Sequence, residues 1–249
     1  MKVIWVIVKK EVSYFFSSLI GTIVLTIFLG LNALFLWLMP INEFLHIPTT
    51  QYASLEPLFS LAPWMYLFLI PAITMRTLSE EKSLGTLELL LTKPIQITQL
   101  IIAKFLACVA ILLLSLLPTL VYVFSVYNLG YPEGNLDIGG TIGSYIGLFL
   151  LGTVFISIGI FASSLAKNQI TALLIAVLLC VTFYLGMDWI ASFGSNNQMG
   201  YIIQHIGIQE HYNSISKGLI ELKDIVYFLG ASAIFITLTK LSISSSKWD

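Results

Sequence analysis

Charged residues are scarce in this chain. Only 10% of its 249 residues are Asp, Glu, Lys or Arg, whereas 57% are hydrophobic. Soluble globular domains carry about 25% charged residues, so the composition excludes an ordinary soluble domain and predicts an integral membrane protein.

Patterns that carry enzyme chemistry are also missing. The sequence contains no HExxH or CxxC pattern and no Gly-x-x-x-x-Gly-Lys-Ser/Thr pattern for cradling ATP phosphates. Its two cysteines, Cys108 and Cys180, lie in apolar runs, where a thiol behaves as a small apolar side chain. We therefore expect no catalytic residue, no cofactor, no metal site and no nucleic-acid partner for this chain.

Ionisable residues are nearly absent from the interior of the apolar runs. Lys104 and Asp188 lie near the ends of their runs, and we expect both side chains to reach the membrane surface. His46, His205 and His211 fall outside the runs, where a lone histidine is usually a solvated or interfacial side chain. Ion-coupled transport and intramembrane metal hydrolysis need charged groups at depth, so both functions are disfavoured.

Six apolar runs, with charged residues only near their ends, come close to the length of about 20 residues that a helix needs to cross a bilayer. They cover residues 18–39, 57–75, 101–127, 138–165, 170–190 and 224–240. The sequence therefore predicts an all-α integral membrane protein with six transmembrane helices in a single domain, residues 1–249. The last run is the weakest, and we expect its outer end to stand in protein or lipid headgroups.

The distribution of Lys and Arg predicts the orientation of the chain. With the N-terminus in the cytoplasm, ten of the twelve Lys and Arg residues lie inside, and only Lys217 and Lys223 lie outside. Cytoplasmic segments of membrane proteins are enriched in positive residues. An even number of spans returns the C-terminus to the same side, so we expect an N-in, C-in protein.

The first 17 residues have the pattern of an amphipathic helix. Ile4, Val8, Val12 and Phe15 recur at helical spacing, whereas Lys9 lies on another face. A basic amphipathic helix of this kind is typical of segments that lie in the membrane interface. The alternative is a cytoplasmic extension of the first span.

The fourth run carries a stripe of small residues. Gly139, Gly143 and Gly147 are four residues apart and so share one helix face. Small residues at this spacing let two helix backbones approach closely. The stripe predicts either helix packing within one subunit or a dimer interface, and the sequence alone does not decide between them.

Residues 191–223 are too polar to cross a membrane, yet they include the apolar run Tyr201, Ile202 and Ile203. A half-apolar segment of this kind is typical of short helices that lie on the outer leaflet. We expect short exterior helices before the last span, with an ordinary loop as the alternative.

Charge is concentrated in one loop, residues 76–95, with the sequence RTLSEEKSLGTLELLLTKPI. The pattern predicts a short amphipathic helix with Leu84, Leu87 and Leu91 on one face, which Pro94 ends. A helix this short cannot bury its apolar face alone, so we expect it to dock into a groove on a soluble partner.

The string EEKSLGTLELLLTKPI resembles the cytoplasmic loop between the second and third spans of ABC-2-type transporter permeases. In that family the loop carries a coupling helix that inserts into a cleft of a separate nucleotide-binding subunit. The positions that match the family pattern are Glu80, Glu81, Gly85, Thr86, Leu87, Glu88, Leu90, Leu91 and Pro94.

The resemblance implies the partners of the chain and the roles of these residues. It implies a cytoplasmic ATPase subunit, a second permease chain that is identical or related, and a place in the bacterial inner membrane among its lipids. Glu80, Glu81 and Glu88 are then expected to contact the ATPase, and Leu87 and Leu91 to seat the helix.

Three strings are similar to permeases of this family that are associated with gliding motility: FFSSLIG, LAPWMYLFLIPAITMRTLSEEKSLGTLELLLTKP and YPEGNLDIGGTIGSYIGL. This similarity implies a link to gliding. The alternatives are an exporter of lipid, polysaccharide or drug, and a membrane scaffold of a motility or secretion machine that transports nothing.

Overall fold

The computed structural model describes residues 2–39, 46–50, 53–87, 96–193 and 205–245. All regular secondary structure in these ranges is helical. The α-helices are Lys2–Ser17, Leu19–Ala33, Ile47–Thr50, Glu56–Thr74, Ser79–Ser83, Ile97–Leu116, Leu120–Leu129, Ile138–Leu165, Gln169–Phe193, Ile208–Ser216 and Leu222–Ser245. A π-helical turn, Leu34–Leu38, follows the second helix, and a 3₁₀ turn, Leu117–Thr119, links the two halves of the third span.

Six stretches of the described chain are long and apolar enough to cross a membrane. We call them spans 1 to 6 in chain order, and they are Leu19–Leu38, Glu56–Ser83, Ile97–Leu129, Ile138–Leu165, Gln169–Ser192 and Leu222–Ser245. The predicted all-α membrane fold with six spans is therefore confirmed. We call the end of the bundle that carries residues 75–87 the inner end, and the end that carries residues 130–137 and 205–221 the outer end.

Ser18 separates the N-terminal helix, Lys2–Ser17, from span 1. Its backbone is extended, with φ −84° and ψ 138°, and its Oγ accepts a hydrogen bond of 3.0 Å from the N–H of Gly21. This is the geometry of a helix N-cap, at which a new helix begins. The N-terminal helix is therefore a separate helix and not an extension of span 1.

The N-terminal helix packs along the first turns of span 3. Val8 is buried against Ala103 and Ala107, with Ile4 and Val12 beside it. These three side chains belong to the predicted apolar face of the N-terminal helix. The alanines of span 3 leave room for that face, so the two helices approach closely at the inner end.

Span 4 forms the centre of the bundle. It is buried along most of its length, whereas spans 1, 5 and 6 leave most of their surface exposed. Two glycines allow its neighbours to approach: Gly152 lies against Tyr66 and Leu112, and Gly159 lies against Thr74. A Cβ at either glycine would collide with those side chains, so the close packing of spans 2 and 4 depends on both glycines.

One helix of the exterior segment, Ile208–Ser216, lies within the described residues, and we call it the outer helix. Its buried side chains are Ile208, Tyr212 and Ile215, and it packs against spans 4, 5 and 6. The hydroxyl of Tyr212 donates a hydrogen bond of 2.6 Å to the carbonyl of Phe59 in span 2. Burial raises the pKa of Tyr212 well above its usual value, so this hydroxyl keeps its proton.

Candidate docking site

The charged loop begins as a structured unit that we call the docking segment, residues 75–87. A turn over Met75–Leu78 leads into the helix Ser79–Ser83, which contains Glu80 and Glu81 of the motif. Gly85 follows with φ +66°, a left-handed conformation that favours glycine and ends helices. A second helical turn then begins at Thr86.

This break changes the predicted helix. Because Gly85 separates Leu84 from Leu87, the two leucines do not share one helix face. Leu84 lies at the tip of the segment with 68% of its surface exposed, whereas Leu87 is only 6% exposed and packs inside the chain. Leu84 is therefore the large apolar side chain that the described part of the docking segment exposes.

Span 4 holds the docking segment through its inner end. The hydroxyl of Ser163 accepts hydrogen bonds of 3.0 Å from the backbone N–H groups of Leu78 and Ser79, and it donates one of 3.1 Å to the carbonyl of Met75. Ser163 is fully buried. One side chain of span 4 thus satisfies three backbone groups of the turn and fixes the point at which the segment leaves the helix Glu56–Thr74.

Lys82 adds a second attachment to span 4. Its Nζ donates a hydrogen bond to the carbonyl of Ser164, one residue before span 4 ends at Leu165. A positive charge beside the free carbonyls of a helix C-terminus is favourable. The short helix of the docking segment is therefore fastened at both of its ends.

A buried ion cluster joins the docking segment to two other elements. The Nζ of Lys104 in span 3 lies 3.2 Å from Oε1 of Glu11 in the N-terminal helix and 2.8 Å from Oε1 of Glu81 in the docking segment. Lys104 is 1% exposed, and both carboxylates are largely covered. The expectation that Lys104 reaches the membrane surface was wrong, because two carboxylates hold its ammonium group inside the protein.

Glu80, which precedes Glu81 in the same short helix, is also bonded within the chain. The hydroxyl of Tyr14 in the N-terminal helix donates a hydrogen bond of 2.9 Å to Oε1 of Glu80. This hydrogen bond and partial burial raise the pKa of Tyr14, so the tyrosine stays a donor. Glu80 and Glu81 therefore both connect the docking segment to the N-terminal helix.

A cleft of about 350 Å³ opens beside these contacts. Lys10, Glu11 and Tyr14 line one side of it, and Arg76 and Leu84 line the other. The Nε atom of Arg76 is buried without a hydrogen-bond partner among the described residues. The cleft is thus lined by charges of both signs and by an exposed leucine.

The remaining matched positions, Glu88, Leu90, Leu91 and Pro94, lie outside the described residues. Sequence reasoning missed three side chains that hold the site together, Glu11, Lys104 and Ser163. Two of these residues stand out in the sequence. Glu11 is the only acidic residue in the N-terminal helix, and Lys104 is the only charged residue of the run 101–127.

Two glycines of the stripe in span 4 lie against the outer helix and the turn after it. A Cβ at Gly143 would lie 3.0 Å from the Cα of Gly218, and a Cβ at Gly147 would lie 2.6 Å from Cγ2 of Ile215. Gly139 has only Asp137 nearby, at 3.5 Å. Gly143 and Gly147 therefore lie at contacts within one chain.

We expect Gly147→Ala to destabilise the protein by about 1–3 kcal/mol, the usual range for overpacking a buried contact, because the added methyl group displaces Ile215. Gly230→Ala is the matched control, since Gly230 in span 6 has no atom within 4 Å of an added Cβ. Thermal unfolding in mild detergent measures both variants. A Gly147→Ala protein of unchanged stability that no longer dimerises would instead indicate an interface between chains.

Two of the histidines differ from the expectation that they are solvated. His46 is buried, and its Nε2 lies 3.1 Å from the carbonyl of Trp37. His211 is largely covered and lies against Asp224, whereas the side chain of His205 is 71% exposed. No group of three or more potential metal ligands occurs in the part of the chain that the structure describes.

Comparison with known proteins bears on the whole chain. A protein-family model described as ABC-2 family transporter protein matches residues 5–247. No curated protein matches the chain. The family match therefore covers the N-terminal helix, the docking segment, all six spans and the outer helix.

Proposed function

The chain belongs to the ABC-2 family of transporter proteins, and from this premise we propose that it is the transmembrane permease subunit of an ATP-binding cassette transporter. It is a multi-pass membrane protein, and the proposal places it in the bacterial inner membrane with its N- and C-termini in the cytoplasm. A separate cytoplasmic subunit binds and hydrolyses ATP. A second permease chain, identical or related, completes the membrane part.

The observation that supports this function is the way the docking segment is held. Its exposed tip at Leu84 is free to meet a partner, while its base is bonded to the N-terminal helix, span 3 and span 4 through Glu81 and Ser163. A partner that moves the tip therefore moves three elements of the bundle together. This is the mechanical requirement for coupling ATP hydrolysis to a change in the membrane domain.

We propose that residues 80–94 form the contact with the ATPase and that its members have two roles. Glu80, Leu84 and Glu88 contact the partner. Glu81, Gly85, Thr86 and Leu87 shape the segment from inside the chain, since Glu81 bonds to Lys104 and the hydroxyl of Thr86 lies 3.3 Å from the carbonyl of Glu81. Leu91 and Pro94, which lie outside the described residues, complete the proposed contact.

We further propose that the work coupled to ATP hydrolysis is gliding motility. Support comes from the three strings that are similar to gliding-associated permeases, which lie at the start of span 1, along span 2 with the docking segment, and at the start of span 4. Deletion of the gene should abolish the spreading of colonies on a soft surface without affecting growth in liquid. Normal spreading of the deletion strain would assign the permease to export of a lipid, polysaccharide or drug.

Affinity purification of the tagged chain from its native membrane in mild detergent tests the permease function. We expect a stoichiometric subunit with a Gly-x-x-x-x-Gly-Lys-Ser/Thr motif and ATP hydrolysis by the purified complex. ATP hydrolysis should disappear when the lysine of that motif is changed to alanine. A folded preparation without such a subunit would contradict the proposal and favour a membrane scaffold that transports nothing.

A further inference from the structure

The outer helix is held to the bundle at three places. Tyr212 bonds to span 2, as described above, and the hydroxyl of Ser144 in span 4 donates a hydrogen bond of 2.7 Å to the carbonyl of Ser216. The third attachment joins His211 to the first turn of span 6. The first two bonds involve groups that do not titrate near neutral pH, whereas the third involves a histidine, whose charge changes in that range.

Both ring nitrogens of His211 face hydrogen-bond acceptors. Nδ1 lies 2.6 Å from Oδ1 of Asp224, and Nε2 lies 2.9 Å from the carbonyl oxygen of His205. A neutral imidazole has one N–H and one lone pair, whereas an imidazolium has two N–H groups. Only the imidazolium form donates a hydrogen bond to both acceptors, so with Asp224 ionised both hydrogen bonds form only when His211 carries a proton on each nitrogen.

The burial of Asp224 is a second reason to expect a positive charge on His211. Its side chain is 0% exposed, and its Oδ2 has no hydrogen-bond partner among the described residues. A buried carboxylate without a counter-charge is strongly unfavourable. The imidazolium of His211 supplies that counter-charge, and the ring also stacks on Tyr227 with 3.9 Å between centroids, a contact that favours a cation over the aromatic face.

The other charged groups around His211 are mostly acidic. Glu210 precedes it in the outer helix and lies 4.0 Å from the Nδ1 of His205. Glu221 and Lys223, beside Asp224, form an exposed pair at 2.7 Å. Asp188 is the acidic residue near the outer end of span 5. Among the described residues, the contacts of the outer helix with spans 2 and 4 include the hydroxyls of Tyr212 and Ser144.

We propose that His211 is a proton-binding site that fastens the outer helix and residues 205–207 to span 6. With the proton bound, one ring bridges the carbonyl of His205 and the carboxylate of Asp224. When the proton leaves, the lone pair of one ring nitrogen faces an oxygen atom, and Asp224 loses its counter-charge. The bridge then opens, and the outer end of the bundle is released in response to the pH on that side.

Hydrogen–deuterium exchange of the full-length protein in lipid nanodiscs tests this site. Amide protection of residues 205–216, corrected for the intrinsic pH dependence of exchange, should fall as the pH is raised. The expected fall is roughly tenfold or more, the size that corresponds to losing a hydrogen bond to a charged group. Residues 145–160 in the middle of span 4 serve as the internal reference, and their protection should not change.

Three variants assign the effect to the histidine. His211→Phe keeps an aromatic ring against Tyr227 but binds no proton, so its protection should be low at every pH. Asp224→Asn should also remove the pH dependence, whereas His205→Phe should keep it, because only the backbone carbonyl of His205 takes part. Equal protection in the wild type and His211→Phe at all pH values would overturn the proposal.

A measurement on the wild-type protein covers the case in which His211→Phe does not fold. With only three histidines in the chain, ring-¹⁵N-labelled protein gives a spectrum in which each imidazole is resolved. Whenever the outer helix is protected from exchange, His211 should show two protonated ring nitrogens. A neutral His211 ring in a fully protected outer helix would also overturn the proposal.

Discussion

Replacing Lys104 by methionine is expected to destabilise the protein by about 3–5 kcal/mol, the range for removing one partner of a buried ion pair. Methionine fills most of the space of the lysine stem, so the loss comes from charge rather than from a cavity. Glu11 and Glu81 would then face each other, both largely covered and without a counter-charge. Thermal unfolding of the purified chain in mild detergent measures the effect.

Lys167→Met is the matched control. Lys167 lies at the same inner end of the bundle, but it is exposed, so the same substitution should change stability by less than about 0.5 kcal/mol. An equal loss in the two variants would show that the ion cluster does not hold the docking segment.

A double variant separates charge from packing. Glu81→Gln in the Lys104→Met background removes one of the two carboxylates that have lost their partner. We expect the double variant to be more stable than Lys104→Met alone, because leaving a buried charge unpaired is worse than removing the pair. Failure of Glu81→Gln to restore any stability would indicate that Lys104 acts through packing alone.

The spans could be predicted from the sequence because their signal is local. A run of apolar residues of the right length forms a helix in a membrane whatever its neighbours are, since its backbone groups bond within the run. The predicted run 138–165 coincides with the helix Ile138–Leu165. The N-terminal helix could be predicted for the same reason, because its apolar face repeats within 12 residues.

The ion cluster could not be predicted, because its members are far apart in the chain. Glu11 and Lys104 are separated by 93 positions, and nothing near Lys104 in the sequence offers it a carboxylate. Taken alone, a lysine near the end of a span is expected to reach the headgroups. The fold places two glutamates beside it instead, and this long-range pairing decides its burial. The pairing of His211 with Asp224 could not be predicted for the same reason, since only the packing of the outer helix on span 6 brings them together.

The docking segment could be predicted from the sequence only in part. Its charge density and its leucines indicate a partner surface, but the division of the leucines depends on one backbone angle. With a regular helix through residue 85, Leu84 and Leu87 would lie on neighbouring positions of one face. The left-handed conformation of Gly85 turns Leu87 into the chain and leaves Leu84 exposed. The sequence thus indicates the segment, and the structure shows which of the two leucines is exposed.

Changing Leu84 to aspartate is accordingly expected to weaken ATPase binding by about 30-fold or more, because central apolar contacts of an interface contribute about 2 kcal/mol or more each. The free chain should tolerate the change, since Leu84 is exposed and makes no contact that holds the fold. In the complex, however, the carboxylate would be buried in an apolar groove without a partner. The ratio of ATPase subunit to permease after affinity purification measures the effect.

Leu219→Asp supplies the comparison that makes this result specific. Leu219 is 62% exposed, close to the exposure of Leu84, but it lies at the outer end of the bundle, which an ATPase in the cytoplasm cannot reach. Both variants should insert into the membrane and unfold at the wild-type temperature, and only Leu84→Asp should lose the ATPase. If the two variants retain the ATPase equally, the docking contact lies elsewhere at the inner end, and the cleft between Lys10 and Arg76 is the next surface to change.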